Sequence, residues 1–206
     1  LIMMHADMPP VMQERIVCGV SAAIKYEIPA NLLLAVAETE GGKPGQWVKN
    51  SNGTYDVGSM QFNTSYLQEL EKHGILPQDV EQAGCYSYDL AAWRLRGHLK
   101  RDKGDVWTRA ANYHSRTPHY NSIYRDKLIK RAAKWEVWLT TKFSTFNLSG
   151  TGDKKSQDTS NPQLYVATPN QDAKRSEIVP REMQYHYYIQ AADKALAAVF
   201  APQKLR

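Results

Sequence analysis

The chain has 206 residues, of which 42% are hydrophobic and 23% charged, a size and composition suited to one folded domain with an extension. It contains no run of about 18 or more apolar residues, which excludes a transmembrane helix. The net charge of +5 is a modest excess that suits an anionic partner such as a cell wall, a membrane surface or nucleic acid. The basic residues are scattered, and their densest cluster, Lys127, Lys130, Arg131 and Lys134, has the spacing of a solvated helix face. With no concentrated basic stripe and no recognisable binding fold, nucleic acid is not expected as a partner. Internal repeats and a Gly-rich phosphate loop are both lacking.

Taken in order, Pro9-Pro10 opens a helical pattern from Val11 to about Tyr26, with Val11, Ile16, Val20, Ala23 and Ile24 on its apolar side. Pro29 starts a second helix, Ala30 to Glu40, in the favoured first-turn region. Leu32, Leu33, Leu34 and Val36 make this helix apolar nearly all round, so it is expected at the centre of the core. Gly41-Gly42 ends it. The stretch from Lys43 to Met60 is rich in turn formers, and Asn52-Gly53 predicts a small hairpin or an irregular loop there. Asn63, Thr64 or Ser65 caps the next helix, which stops at Gly74. A helical turn near Gln78 to Gln82 follows, then a helix from Cys85 to about Asp102 and a short one, capped by Asp105, from Val106 to Tyr113. The last long helix begins at Thr117-Pro118 and carries Tyr120, Tyr124, Leu128, Ala132, Trp135 and Leu139 on one stripe.

After Phe143 the composition shifts. Residues 143–180 read as a polar linker or irregular tail, with Leu164-Tyr165-Val166 as an apolar patch able to pin it down. A final helix is expected within 181–206. That patch, or the Tyr185-Tyr187-Tyr188 cluster, is expected to dock near the cleft or on a partner, because apolar residues in a polar tail need cover.

Cys18 and Cys85 belong to no CxxC and to no Cys/His metal spacing. By spacing alone they read equally as two buried thiols or as one disulfide, the latter stabilising the fold by about 4 kcal/mol on a chain-entropy estimate. The first ten residues lack a charged segment and a long enough apolar run for a complete signal peptide.

The chemistry centres on Glu40. A carboxylate at the end of an apolar helix is an unusual place for a charge, because burial disfavours ionisation, and that is how a general acid is made. Asp56 follows a polar turn and is placed to face Glu40 across a cleft. Cleavage of a glycosidic bond needs an acid for the leaving oxygen and a group that stabilises the oxocarbenium-like transition state. Gln61 and Asn63 offer amides to sugar hydroxyls or N-acetyl groups.

The strings around these residues carry a resemblance. D-V-G-S-M-Q-F-N, from Asp56 to Asn63, is similar to the G-L-M-Q-I-N signature of lysozyme-like lytic transglycosylases. E-G-G at Glu40 stands where that family has its catalytic E-S. N-Y-H-S, from Asn112 to Ser115, resembles its A-Y-N-A, and Y-R-D-K-L from Tyr124 resembles its last motif. The likeness is greatest to small periplasmic enzymes of conjugation, pilus and type IV or III secretion systems, and it covers residues 10 to 140.

The resemblance implies a mainly α, lysozyme-like domain over 10–142 with a small irregular β region. It implies a peptidoglycan lytic transglycosylase that opens the wall locally for an envelope-spanning machine. Glu40 is then the single acid/base, Gln61 contacts substrate and Met60 packs beneath it. Tyr113 hydrogen-bonds and orients Glu40, and Tyr124 does the same or lines the cleft. No metal or other cofactor is implied, the partners are glycan strands and machine components, and the location is periplasmic. Such enzymes carry a cysteine in the first helix and another after the signature, which favours a Cys18–Cys85 disulfide. Three departures stand out: Gly41 replaces a serine, His114 an asparagine and Ser59 an apolar residue. Asp56 also fits the second catalytic carboxylate of animal-type lysozymes, so a retaining hydrolase using Glu40 and Asp56 is the alternative; a wall-binding subunit without turnover is another. Glu38 is the substitute should Glu40 not be the acid.

Overall fold

Pro10 needs no partner for a missing N–H and opens α1 (Pro10–Tyr26). The computed structural model describes residues 9–142, 145–147 and 164–167. Helix α2 (Ala30–Glu40) runs through the centre, with Leu32, Leu33, Leu34 and Val36 all at 0% exposure. An eleven-residue helix is marginal in isolation; this one is held by packing against α1, α5 (Tyr86–Arg101) and α7 (Pro118–Lys142).

Past α2 the chain forms a three-stranded antiparallel sheet of β1 (Trp47–Lys49), β2 (Tyr55–Val57) and β3 (Phe62–Asn63). The expected hairpin at Asn52-Gly53 joins β1 to β2, with the Asn52 side chain accepting from the Thr54 N–H and hydroxyl. The register sets Asp56 opposite both Val48 and Asn63. Helices α3 (Thr64–Leu70), α4 (Pro77–Glu81) and α6 (Val106–Ala111) complete the domain. Asn63 caps α3 by accepting from Ser65 N–H at 3.0 Å, and Asp105 caps α6 by accepting from Trp107 and Thr108. Helix α6 therefore ends two residues before the expected Tyr113, which lies in the following turn.

Along α7, Tyr124, Leu128, Ala132, Trp135 and Leu139 are buried as their spacing predicts. Tyr120 is not: it is 57% exposed. Its place at the start of α7 is taken by Asn121, whose amide donates to the Thr108 carbonyl and to Asn112 Oδ1. These bonds rotate the first turn so that Tyr120 faces outwards.

Cys18 and Cys85 form a disulfide, with Cα atoms 4.8 Å apart, tying α1 to the start of α5. The stretch expected to be irregular linker carries two short parallel strands, β4 (Thr145–Asn147) and β5 (Leu164–Val166). Leu164, Val166 and Ala167 are buried, and β5 packs on α1 and α2. The fully buried Asn31 clasps Ala167, accepting from its N–H at 2.8 Å and donating to its carbonyl at 2.7 Å. The apolar patch is thus pinned as expected, but at the opposite end of α2 from Glu40, about 13 Å along the helix at 1.5 Å per residue. It does not dock near the carboxylate, because the groups that satisfy its backbone sit at Asn31. The expected helix within 181–206, with Tyr185, Tyr187 and Tyr188, lies outside the described residues. No helix among the described residues is long and apolar enough to cross a membrane.

Replacing Asn31 by Leu keeps the heavy-atom count and branching but strands the Ala167 backbone groups in the core. We expect a loss of about 2–4 kcal/mol in urea unfolding, from two buried groups left without partners. A loss under about 0.5 kcal/mol would show that the clasp contributes nothing.

Candidate active site

The last residue of α2 is Glu40, and the turn after it is set by close backbone contact. A Cβ at Gly42 would lie 2.1 Å from the Gly58 carbonyl and 2.7 Å from Gln61 Nε2. No side chain fits there, so only glycine lets the 58–61 loop close onto the end of α2. Gln61 holds a left-handed backbone (φ 48°), an unusual conformation for a non-glycine residue and one that clusters at functional sites. Its amide donates to the Gly58 carbonyl at 2.9 Å, and the residue stays half-buried.

Glu40 keeps an accessible edge while its carboxyl is surrounded by protein. Burial raises its pKa to about 7. The Tyr124 hydroxyl, 2.5 Å away and donating to Oε1, opposes the rise. So do the charges of Arg94 and Lys127, whereas the nearby Asp56 adds to it. Tyr124 is itself buried, and burial together with the adjoining Glu40 pushes its hydroxyl well above the ordinary tyrosine value, so it remains a donor. A carboxyl poised near neutrality, with one oxygen fixed by a neutral donor, can both give and take a proton at the other.

Of the two tyrosines expected to orient Glu40, one makes the bond. The bond to Glu40 comes from Tyr124; Tyr113 points its hydroxyl at the Met60 carbonyl, 3.5 Å away. Tyr113 follows a shortened α6, which carries its ring under the signature loop beside Phe62. His114 lies flat on Tyr124, with ring centres 4.8 Å apart and planes 4° from parallel. Burial and the charge of Lys127 lower its pKa, so it covers Tyr124 as a neutral ring near pH 7.

The remaining expected residues separate into those that line the site and those that build it. Met60 is at 0% exposure beneath the loop. Ser59 is 2% exposed, so its side chain faces the core and is not open to a substrate. Asn63 is consumed by structure: its amide donates to Asp56 Oδ1 and to Thr54 Oγ1, each at 2.9 Å, while its carbonyl caps α3. An amide so engaged has little left for sugar. Asp56 is half-buried and close enough to act on Glu40. Glu38, the substitute acid, is bound on the α2–α7 seam, 3.3 Å from Arg131 Nε and accepting from Trp135 Nε1 at 2.9 Å.

One residue of the cluster was not anticipated. Arg94 on α5 lies between the rings of Tyr66 and Tyr113, 4.1 Å and 4.4 Å from their centres, and donates to the Tyr113 carbonyl at 2.9 Å. The signal available was a second stripe on α5, Ser87, Ala91, Arg94 and His98, beside the apolar one that defined the helix. The groove between Tyr26, Leu70, Ile75, Tyr86 and Trp93, about 330 Å³ in volume, shares no residue with the Glu40 cluster.

Comparison with known proteins agrees with this fold. The family profile "Transglycosylase SLT domain" matches residues 18–130, more than half of the chain. Invasion protein IagB of Salmonella typhimurium is 32% identical over 122 residues, covering 59% of this chain and 72% of that protein. Protein IpgF of Shigella flexneri is 32% identical over 101 residues, covering 48% of this chain and 66% of that protein. The matched region contains both cysteines, Glu40, the signature loop and Tyr124. A helical, lysozyme-like domain with a small sheet beside a buried acid, matched over most of its length by that profile, belongs to the SLT-domain family of peptidoglycan lytic transglycosylases.

Proposed function

We propose that the chain cleaves the β-1,4 bond from N-acetylmuramic acid to N-acetylglucosamine without water, leaving 1,6-anhydro ends, with Glu40 as its only acid/base. The observation that carries this reading is the Glu40 carboxyl, raised to about 7 and held by the Tyr124 hydroxyl. Protonated Glu40 gives its proton to the glycosidic oxygen as the C1–O bond breaks, and the acetamido group of the muramic residue stabilises the cationic centre. The ionised carboxylate then takes the proton of the C6 hydroxyl of the same sugar as the O6–C1 bond forms. That returns Glu40 to its starting state and consumes nothing further. The nucleophile is already part of the bound ring, so proximity supplies much of the advantage. Between the two transfers the carboxylate is supported by Tyr124 and by the charges of Arg94 and Lys127. Gln61 and Asp56 border the substrate, and Met60 and Tyr113 form the floor.

The folded domain of 10–142 is the catalytic unit, with 143–206 an extension whose strand Leu164–Val166 is secured at Asn31. The likeness to a protein named for invasion supports wall opening for an envelope-spanning secretion, conjugation or pilus machine. The disulfide suits an oxidising compartment, and together with a wall substrate it supports a periplasmic location.

One observation favours a second reading. Asp56 lies close enough to raise the Glu40 pKa, as a second carboxylate would in a retaining muramidase that uses water. Mass spectrometry of products from purified peptidoglycan separates the two: anhydro-muropeptides are expected, and reducing ends would establish the hydrolase.

Glu40→Gln is expected to fold normally and to release no muropeptides; retained turnover would move the acid elsewhere. Tyr124→Phe removes a hydrogen bond to a charged group, worth about 1.5–3 kcal/mol, and should slow turnover about tenfold to a hundredfold with the fold intact. The raised pKa also predicts a pH dependence of stability. Because the folded value, about 7, exceeds the ordinary glutamate value of 4.5, the folded chain retains a proton that the unfolded chain releases between these limits. Stability relative to Glu40→Gln should therefore fall as pH rises from 4.5 to 7, by at most about 3 kcal/mol. A flat difference in urea unfolding across that window would contradict the raised value.

A further inference from the structure

Among the described residues, Arg94 is half-buried and within ion-pair distance of no carboxylate. A cation partly withdrawn from water without a counter-ion is costly unless something compensates it. Here the compensation comes from two aromatic faces and one carbonyl. The guanidinium lies 4.1 Å from the Tyr66 ring centre and 4.4 Å from that of Tyr113, and it donates to the Tyr113 carbonyl at 2.9 Å. Arginine suits this position because its planar, delocalised charge stacks on rings where an ammonium does not.

The contacts continue outward from Arg94 to the acid. The residue after Tyr113 is His114, whose ring lies on Tyr124, and Tyr124 bonds to Glu40. We infer that Arg94 is a positioning residue for Glu40. It fixes the Tyr113–His114 turn that backs Tyr124, and it supplies from α5 a positive charge that steadies the carboxylate in the ionised half of its cycle. This rests on the acid/base role proposed for Glu40. The groups facing that carboxyl are Tyr124 and Lys127 from α7, Asp56 from β2, Arg94 from α5, and Tyr113 from the turn after α6, with His114 behind them on the Tyr124 ring. Arg94 leads the charges that favour ionisation of Glu40, ahead of Lys127.

The test is the pH profile of kcat/KM for muropeptide release by the wild type, Arg94→Met and Arg94→Lys, with Glu40→Gln in parallel. Turnover needs protonated Glu40, so the profile falls on the alkaline side. Without the Arg94 charge the carboxyl holds its proton more tightly, and in Arg94→Met this limb should move to higher pH by at least about half a unit. Arg94→Lys should restore the limb to within a few tenths of a unit while remaining slower than the wild type, because the stacked plane is lost. The same shift should appear without turnover, in the pH window over which each protein differs in melting temperature from its Glu40→Gln counterpart. A uniform loss of activity in Arg94→Met, with limb and window unmoved, would overturn the inference. So would an equal shift in Arg94→Lys. Turnover retained by Glu40→Gln would instead strike at the acid/base reading itself, and the melting-temperature window would still decide the role of Arg94.

Discussion

The molecule depends on one buried helix that ends in an acid. Ala30–Ala37 of α2 are enclosed on all sides, and the helix stops where the protein surface opens at Glu38 to Glu40. The apolar surroundings that stabilise the helix are the same ones that disfavour charge on its final carboxyl. Stability and reactivity therefore share a cause. What keeps the acid usable is a small set of opposing groups: the Tyr124 hydroxyl, with Arg94 and Lys127 further out. Without them burial would hold the proton too tightly for it to be exchanged near neutral pH.

The two glycines and the signature loop act on the same point from the other side. Gly42 lets the end of α2 meet the Gly58 carbonyl and Gln61 more closely than any side chain permits, and Gly58 does the same for the loop against the Val80 carbonyl of α4. The small sheet holds Asp56 through Asn63, which also caps α3, so one amide links the candidate second carboxylate to a helix start. Behind the site, α7 contributes Tyr124 on its inner stripe, while Arg131 and Trp135 on the same helix hold Glu38 in place. Glu38 and Glu40 are two residues apart, hence on nearly opposite faces of the helix, and this gives one a structural bond and the other the cleft.

Much of this was legible in the sequence, and for identifiable reasons. The helices were marked by apolar periodicity and by Pro, Asp and Gly at their ends, so α2 and the cap at Asp105 could be placed from the sequence, and the α3 cap narrowed to Asn63, Thr64 or Ser65. Glu40 stood out because charge and burial conflict at its position. What could not be read were choices between neighbouring side chains. Tyr113 and Tyr124 both sit in motifs, and which one reaches Glu40 depends on where α6 ends and how α7 is rotated, each decided by long-range bonds such as those of Asn121. Asn63 looked like a ligand amide because its local commitments to Thr54 and Asp56 arise only after the sheet forms. Arg94 was missed because an arginine on a helix defaults to solvent, and its two tyrosines are brought to it from α3 and from the turn after α6. The clasp between Asn31 and Ala167 spans 136 positions, beyond any local pattern.

The central claim is that Glu40 rests near neutrality as an exchangeable acid. Carbon-13 NMR of the protein, following the Glu40 side-chain carboxyl through a pH titration and assigned by its loss in Glu40→Gln, reads that property directly. A midpoint near 7 is the result this account requires; a midpoint at the ordinary glutamate value of about 4.3 would contradict it.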